Sequence, residues 1–119
     1  MNFWTKMLAA AAVFGTVGCA ANDLALPFAG VVLDVRTVDE FASGHVKGAK
    51  LLPYDEITAD SAAKLIAEKS TPVVVYCRSG RRSKIAVETL QKLGYTNLTD
   101  LATLGNAAKV LEQKIVTVN

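Results

Sequence analysis

The sequence predicts an α/β fold, a central parallel sheet of four to five short strands with helices on both faces. Two observations carry this. The run at residues 73–76 is β-branched and apolar without alternation, and residues 31–35 repeat the pattern apart from Asp34, as strands buried on both faces do. Helical patterns lie between such runs, and strand–helix alternation in short units implies parallel crossover connections. The chain of 119 residues suffices for one such domain and shows no internal repeat.

The elements follow in order. Residues 22–30 form a loop broken by Pro27 and Gly30. Residues 31–35 (VVLDV) are the first buried strand. Thr37 or Asp39 caps a short helix through Phe41 that ends near Gly44. Residues 49–52 give a second short strand, stopped by Pro53. Residues 60–69 are helical, with Ala63, Ile66 and Ala67 on one face. Residues 73–76 (VVVY) are the strongest strand signal. Residues 83–93 form an amphipathic helix with Ile85, Ala86, Thr89, Leu90 and Leu93 inward, closed by Gly94. Residues 97–101 are a strand, 107–114 a helix, and 115–118 extended chain.

Half of the residues, 51%, are hydrophobic and 20% are charged, a globular balance. The net charge of +2 is too small for a nucleic-acid partner or a polybasic membrane patch. Two cysteines and one histidine make no zinc set, so no metal or other cofactor is expected. A Cys19–Cys77 bridge is not expected either, because Cys19 belongs to the leader.

Residues 1–21 (MNFWTKMLAAAAVFGTVGCAA) read as an export signal: Lys6, an apolar run from Met7 to Val17, then small residues. The run is too short to span a bilayer comfortably. Thr16-Val17-Gly18-Cys19 resembles a bacterial lipoprotein box, with Thr16 where leucine is usual, and would place a lipid anchor on Cys19. Cleavage after Ala20 or Ala21 satisfies the small-residue rule as well. The expectation is an exported, periplasmic protein, anchored if Cys19 is acylated, with residues 22–119 as its single domain and a monomer in solution.

The chemistry concentrates at Cys77. The buried run ends on it, and Arg78-Ser79-Gly80-Arg81-Arg82 leads to a helix opening at Ser83. In open parallel sheets, ligands bind beyond the carboxyl ends of strands. A loop entering a helix directs backbone N–H groups inward, and the helix dipole favours negative charge there. Gly80 supplies the left-handed backbone such a turn needs. Helix termini and neighbouring arginines lower a thiol pKa, and the thiolate is the nucleophile. Cys77 is therefore the candidate catalytic residue, with Arg78, Ser79, Gly80, Arg81, Arg82 and Ser83 as the candidate anion-binding loop.

The loop CRSGRRS, the upstream LDVRTVDEFASGHVKGAKLLP and the helix ending LQKLGY together resemble a single-domain rhodanese, most nearly the exported phage-shock type of bacteria. The resemblance covers about residues 31–101. It implies that Cys77 forms a persulfide, taking sulfur from thiosulfate or a similar anion and passing it to cyanide or a thiol. It implies that residues 78–83 hold the sulfo-anion. Asp34 and Arg36 match a motif at the first strand's end, where Asp34 should meet the active loop or an arginine. It also implies that His45 packs the first helix against the next strand, and that Glu40 is structural; a thiolate held by a helix terminus needs no base.

The chain departs from that pattern after the last core strand. At residues 100–107 (DLATLGNA) one glycine stands where a Gly-Gly turn is common, and no tryptophan follows. The turn walls the site, so the departure bears on acceptor specificity. Two other readings exist. Phosphatases and arsenate reductases of this fold use a loop one residue longer than the four between Cys77 and Arg82, which favours sulfur. The other is a non-enzymatic module that carries sulfur or senses redox state.

Overall fold

The computed structural model describes residues 24–118, so the readings of residues 1–21 and of Cys19 lie outside the described residues. The elements are β1 Val31–Asp34, α1 Val38–Ser43, β2 His45–Val46, β3 Lys50–Leu51, a 3-10 turn Tyr54–Glu56, α2 Ala59–Leu65, β4 Val73–Cys77, α3 Arg81–Lys92, β5 Leu98–Thr103, α4 Leu104–Leu111 and β6 Ile115–Val116. The main sheet runs β3-β1-β4-β5, with every neighbouring pair parallel. All five residues of β4 are buried. A strand flanked on both edges and covered on both faces has to be apolar throughout, and VVVYC is.

Side chains alternate across β4, and each face has its own core. Val73, Val75 and Cys77 pack with Leu33, with Ala62 of α2, and with Ala86 and Leu90 of α3. Val74 and Tyr76 pack with Leu101 and with Ala107 and Leu111 of α4, and Phe41 of α1 closes on this side. Helices thus cover both faces, as the sequence predicts. Each fully buried aliphatic side chain contributes roughly 1.5–3 kcal/mol by leaving water.

Several boundaries differ from the sequence reading. Thr58 and Ser61 form a capping box, which starts α2 at Ala59. That register buries Ala62 and Ile66 and leaves Ala63 and Ala67 exposed. The helix stops at Leu65 rather than 69 because Ile66 is already extended (φ −131°, ψ 94°). The third helix begins at Arg81, two residues early, because Gly80 in the left-handed region serves as its N-cap. Gly94 follows its end at φ 102°. The last helix spans 104–111 rather than 107–114. Thr103 Oγ1 accepts the Asn106 N–H at 3.1 Å and starts it, and Glu112 at φ 54° ends it.

A second, two-stranded sheet pairs β2 with β6 antiparallel, His45 opposite Val116 and Val46 opposite Ile115. The sequence reading has extended chain at 115–118 and no strand at 45–46, since two residues carry no periodicity. Tyr76 anchors β2: its hydroxyl accepts the Val46 N–H at 3.0 Å. Among the described residues, no helix is long and apolar enough to cross a membrane.

Candidate active site

Cys77 is the last residue of β4, in register with Thr103 of the parallel β5. Its position at a carboxyl-terminal strand end follows from the sheet order, which puts β4 between β1 and β5. Three residues then reverse the chain into α3. Gly80 completes the reversal at φ 99°, ψ −16°, a conformation costing a residue with a Cβ roughly 1–2 kcal/mol.

The turn wraps the sulfur. The Gly80 N–H donates to Cys77 Sγ at 3.0 Å, and the Ser83 N–H donates to it at 3.3 Å. Ser83 sits in the first turn of α3, where N–H groups lack an intrahelical acceptor. Sγ takes the place of that acceptor. The Ser83 hydroxyl donates to the Gly80 carbonyl at 3.1 Å. Burial raises the Cys77 pKa. Hydrogen bonds from the Ser83 side chain and from the Ser83, Gly80 and Ser79 amides act against it and leave the thiol below its ordinary value. Cys77 is a free thiol with no exposed surface.

The three loop arginines occupy different situations. Arg82 is held by Glu40 of α1 in a bidentate pair, Nη1–Oε1 at 2.8 Å and Nη2–Oε2 at 3.1 Å. Glu40 also accepts the Thr37 N–H at 3.0 Å, closing the capping box of α1. The Arg82 guanidinium first, then the Thr37 amide, hold its carboxyl at about 2. Arg82 in turn is raised above its ordinary value by that carboxylate. Arg78 and Arg81 are exposed and have no carboxylate partner among the described residues.

Asp34 meets an arginine rather than the loop. Arg36 Nη2 lies 2.6 Å from Asp34 Oδ2, and Arg36 Nε donates to Oδ1 at 2.9 Å. Arg36 Nη2 also donates to the Gly44 carbonyl at 2.6 Å, tying the end of β1 to the end of α1. His45 has the packing place anticipated for it. Its ring stacks on Phe41 at 3.7 Å between centroids, and Nδ1 lies 2.8 Å from the Phe41 carbonyl. A carbonyl only accepts, so Nδ1 carries the proton.

Two features escape the sequence reading. The Glu40–Arg82 pair joins residues 42 apart in the chain. Only the adjacency of α1 and α3 at one end of the sheet brings them together. The second is a bulge in β5: Val75 pairs with Asp100 but Tyr76 with Ala102. Ala102 sits at φ 68°, and its N–H is held by Asp100 Oδ1 at 2.8 Å. A left-handed alanine within the altered stretch 100–107 is where a glycine signal would have marked the turn. A Cβ at Gly80 would stand 3.5 Å from the Ala102 methyl, so the bulge abuts the cysteine loop.

Comparison with known proteins agrees with this geometry. The Rhodanese-like domain model matches residues 20–103. A mitochondrial protein of Schizosaccharomyces pombe named as a putative thiosulfate sulfurtransferase is 44% identical over 80 residues. That match takes in 57% of this chain and 55% of the yeast protein, so the chain spans about half of that relative's length. The thiosulfate sulfurtransferase PspE of Escherichia coli is 34% identical over 76 residues, 64% of this chain and 72% of PspE. Among solved structures, a rhodanese-like domain from Anabaena superposes with TM-score 0.67 at 27% identity, covering 76% of this chain and 95% of that one. A rhodanese with anions from E. coli gives TM-score 0.64 at 31% identity, covering 73% and 96%. The family model spans all four strands of the main sheet and the amide-wrapped cysteine between β4 and α3, and the chain belongs to the rhodanese-like family.

Proposed function

We propose that this protein is a sulfurtransferase working through a persulfide on Cys77. The observation that carries the reading is the pair of N–H donors, from Gly80 and Ser83, directed at Sγ. They favour a thiolate, and they favour equally the anionic persulfide that replaces it. In the first step the thiolate attacks the outer sulfur of thiosulfate. The S–S bond of thiosulfate breaks, sulfite leaves with the electron pair, and Cys77–S–S⁻ forms. In the second step a thiophilic acceptor, a thiol or cyanide, attacks the outer sulfur and the Cys77 thiolate leaves. Residues 78–83 form the anion-binding loop, with Arg78 and Arg81 as cations that have no carboxylate partner among the described residues.

The accompanying proposals follow the sequence: a single domain over residues 22–119, a monomer, and export to the periplasm, with a lipid anchor if Cys19 is acylated and none if cleavage follows Ala20 or Ala21. The names of the yeast and E. coli relatives support thiosulfate as donor. Intact-protein mass spectrometry after incubation with thiosulfate tests the reading. Wild type should gain one sulfur atom, Cys77→Ser should gain none, and cyanide should remove the gain. A folded wild-type protein that takes no sulfur from thiosulfate or any other sulfane donor refutes it.

A further inference from the structure

A cleft of about 590 Å³ opens beside the cysteine loop, lined among others by Asp39, Glu40, Arg78, Thr103, Leu104 and Ile115. Cys77 itself is buried and does not line it, and the cleft adjoins the cysteine loop through two neighbours. Arg78 is the next residue after Cys77, and Thr103 is the β5 partner of Cys77. Such a volume suits an organic molecule of many atoms and is far larger than a two-atom anion needs. Much of the charge on its walls is already spent: Arg36 on Asp34, and Glu40 on Arg82. Arg78 and Asp39 are left, both exposed and neither ion-paired among the described residues. Between them the walls include apolar surface from Leu104 and from Ile115, which is 48% exposed.

We infer that this cleft is the acceptor site and that it selects a zwitterionic amino-thiol, with Arg78 receiving the carboxylate and Asp39 the ammonium group. The inference rests on the sulfurtransferase reading and names its acceptor class. One cation and one anion on an otherwise neutralised cleft complement a ligand carrying both charges. A simple anion would be repelled by Asp39, and a simple amine by Arg78. Transfer balances without an external oxidant: Cys77–S–S⁻ and R–SH give Cys77–S⁻ and R–S–SH. The bond between Sγ and the outer sulfur breaks as the acceptor's S–S bond forms.

The test compares L-cysteine with two analogues bearing one blocked charge, cysteine methyl ester and N-acetylcysteine. Acceptor KM on the persulfide-loaded protein should be lowest for L-cysteine. Asp39→Asn should raise the KM for L-cysteine about two- to fivefold relative to that for N-acetylcysteine, the upper part of the range of a solvent-exposed charge contact. Asp39→Lys should reverse the order of those two acceptors. A second measurement needs no chemistry. S-methyl-L-cysteine, titrated into the unloaded protein, should shift the amide resonances of Gly105 and Leu104, and less so in Asp39→Asn. Equal KM values for all three thiols, or ratios untouched by both Asp39 variants, overturn the inference even if Cys77 passes sulfur to cyanide. Binding of S-methyl-L-cysteine at the cleft by a protein that never takes sulfur supports the zwitterion site while refuting the sulfurtransferase reading.

Discussion

Glu40→Gln isolates the charge of the clamp that ties α1 to the cysteine loop. Glutamine keeps an oxygen for the Thr37 N–H, so the capping box of α1 survives, while the carboxylate that meets Arg82 is lost. The Glu40 carboxyl is held at about 2 against an ordinary 4.5, which bounds the coupling at about 3 kcal/mol. The two side chains are 26% and 19% exposed, and solvent screening reduces this to about 1–2 kcal/mol. The sign follows from a depressed carboxylate pKa. The stabilisation is complete above about pH 4.5 and is lost as pH falls toward 2. In urea titrations at pH 7 the variant should unfold about 1–2 M earlier, given a slope near 1 kcal/mol/M for a small domain. The gap should fall to less than about half by pH 3 and nearly close at pH 2. A gap of equal size at pH 7 and pH 2 would refute the electrostatic account and assign the effect to packing. No gap at pH 7 would refute the clamp itself.

Two further outcomes test the site and its support. Ser83→Ala removes the hydroxyl that does most to offset burial of the Cys77 thiol, so the midpoint of iodoacetamide alkylation against pH should move up. An unmoved midpoint would assign the lowered pKa to the amides alone. Arg36→Leu leaves Asp34 buried without its partner and should cost about 3–5 kcal/mol by urea denaturation. Adding Asp34→Asn should recover a large part of that loss. No recovery would mean that the Gly44 carbonyl contact, not the ion pair, holds the end of β1.

The order of the main-sheet strands and the helices between them, the strand end at Cys77, the turn at Gly80 and the close of α3 before Gly94 are all legible in the sequence. Each is written by near neighbours: an unbroken apolar run for the doubly covered β4, and a glycine where the backbone turns left-handed. The thiolate-favouring loop is legible for the same reason, since Cys77, Gly80 and Ser83 lie within one turn of chain. Three arginines in that loop read alike as a sequence. Only the meeting of the first turns of α1 and α3 at the end of the sheet commits Arg82 to Glu40 and leaves Arg78 and Arg81 without a carboxylate partner among the described residues. The pair at β2 and β6, the bulge that sets Ala102 against Gly80, and the cleft beside Cys77 likewise depend on contacts between segments far apart in the chain. Local chemistry thus determined where the cysteine stands. The tertiary structure decided which charges around it are spent and which are left for a ligand, because charge pairing depends on distance in space, which the topology sets.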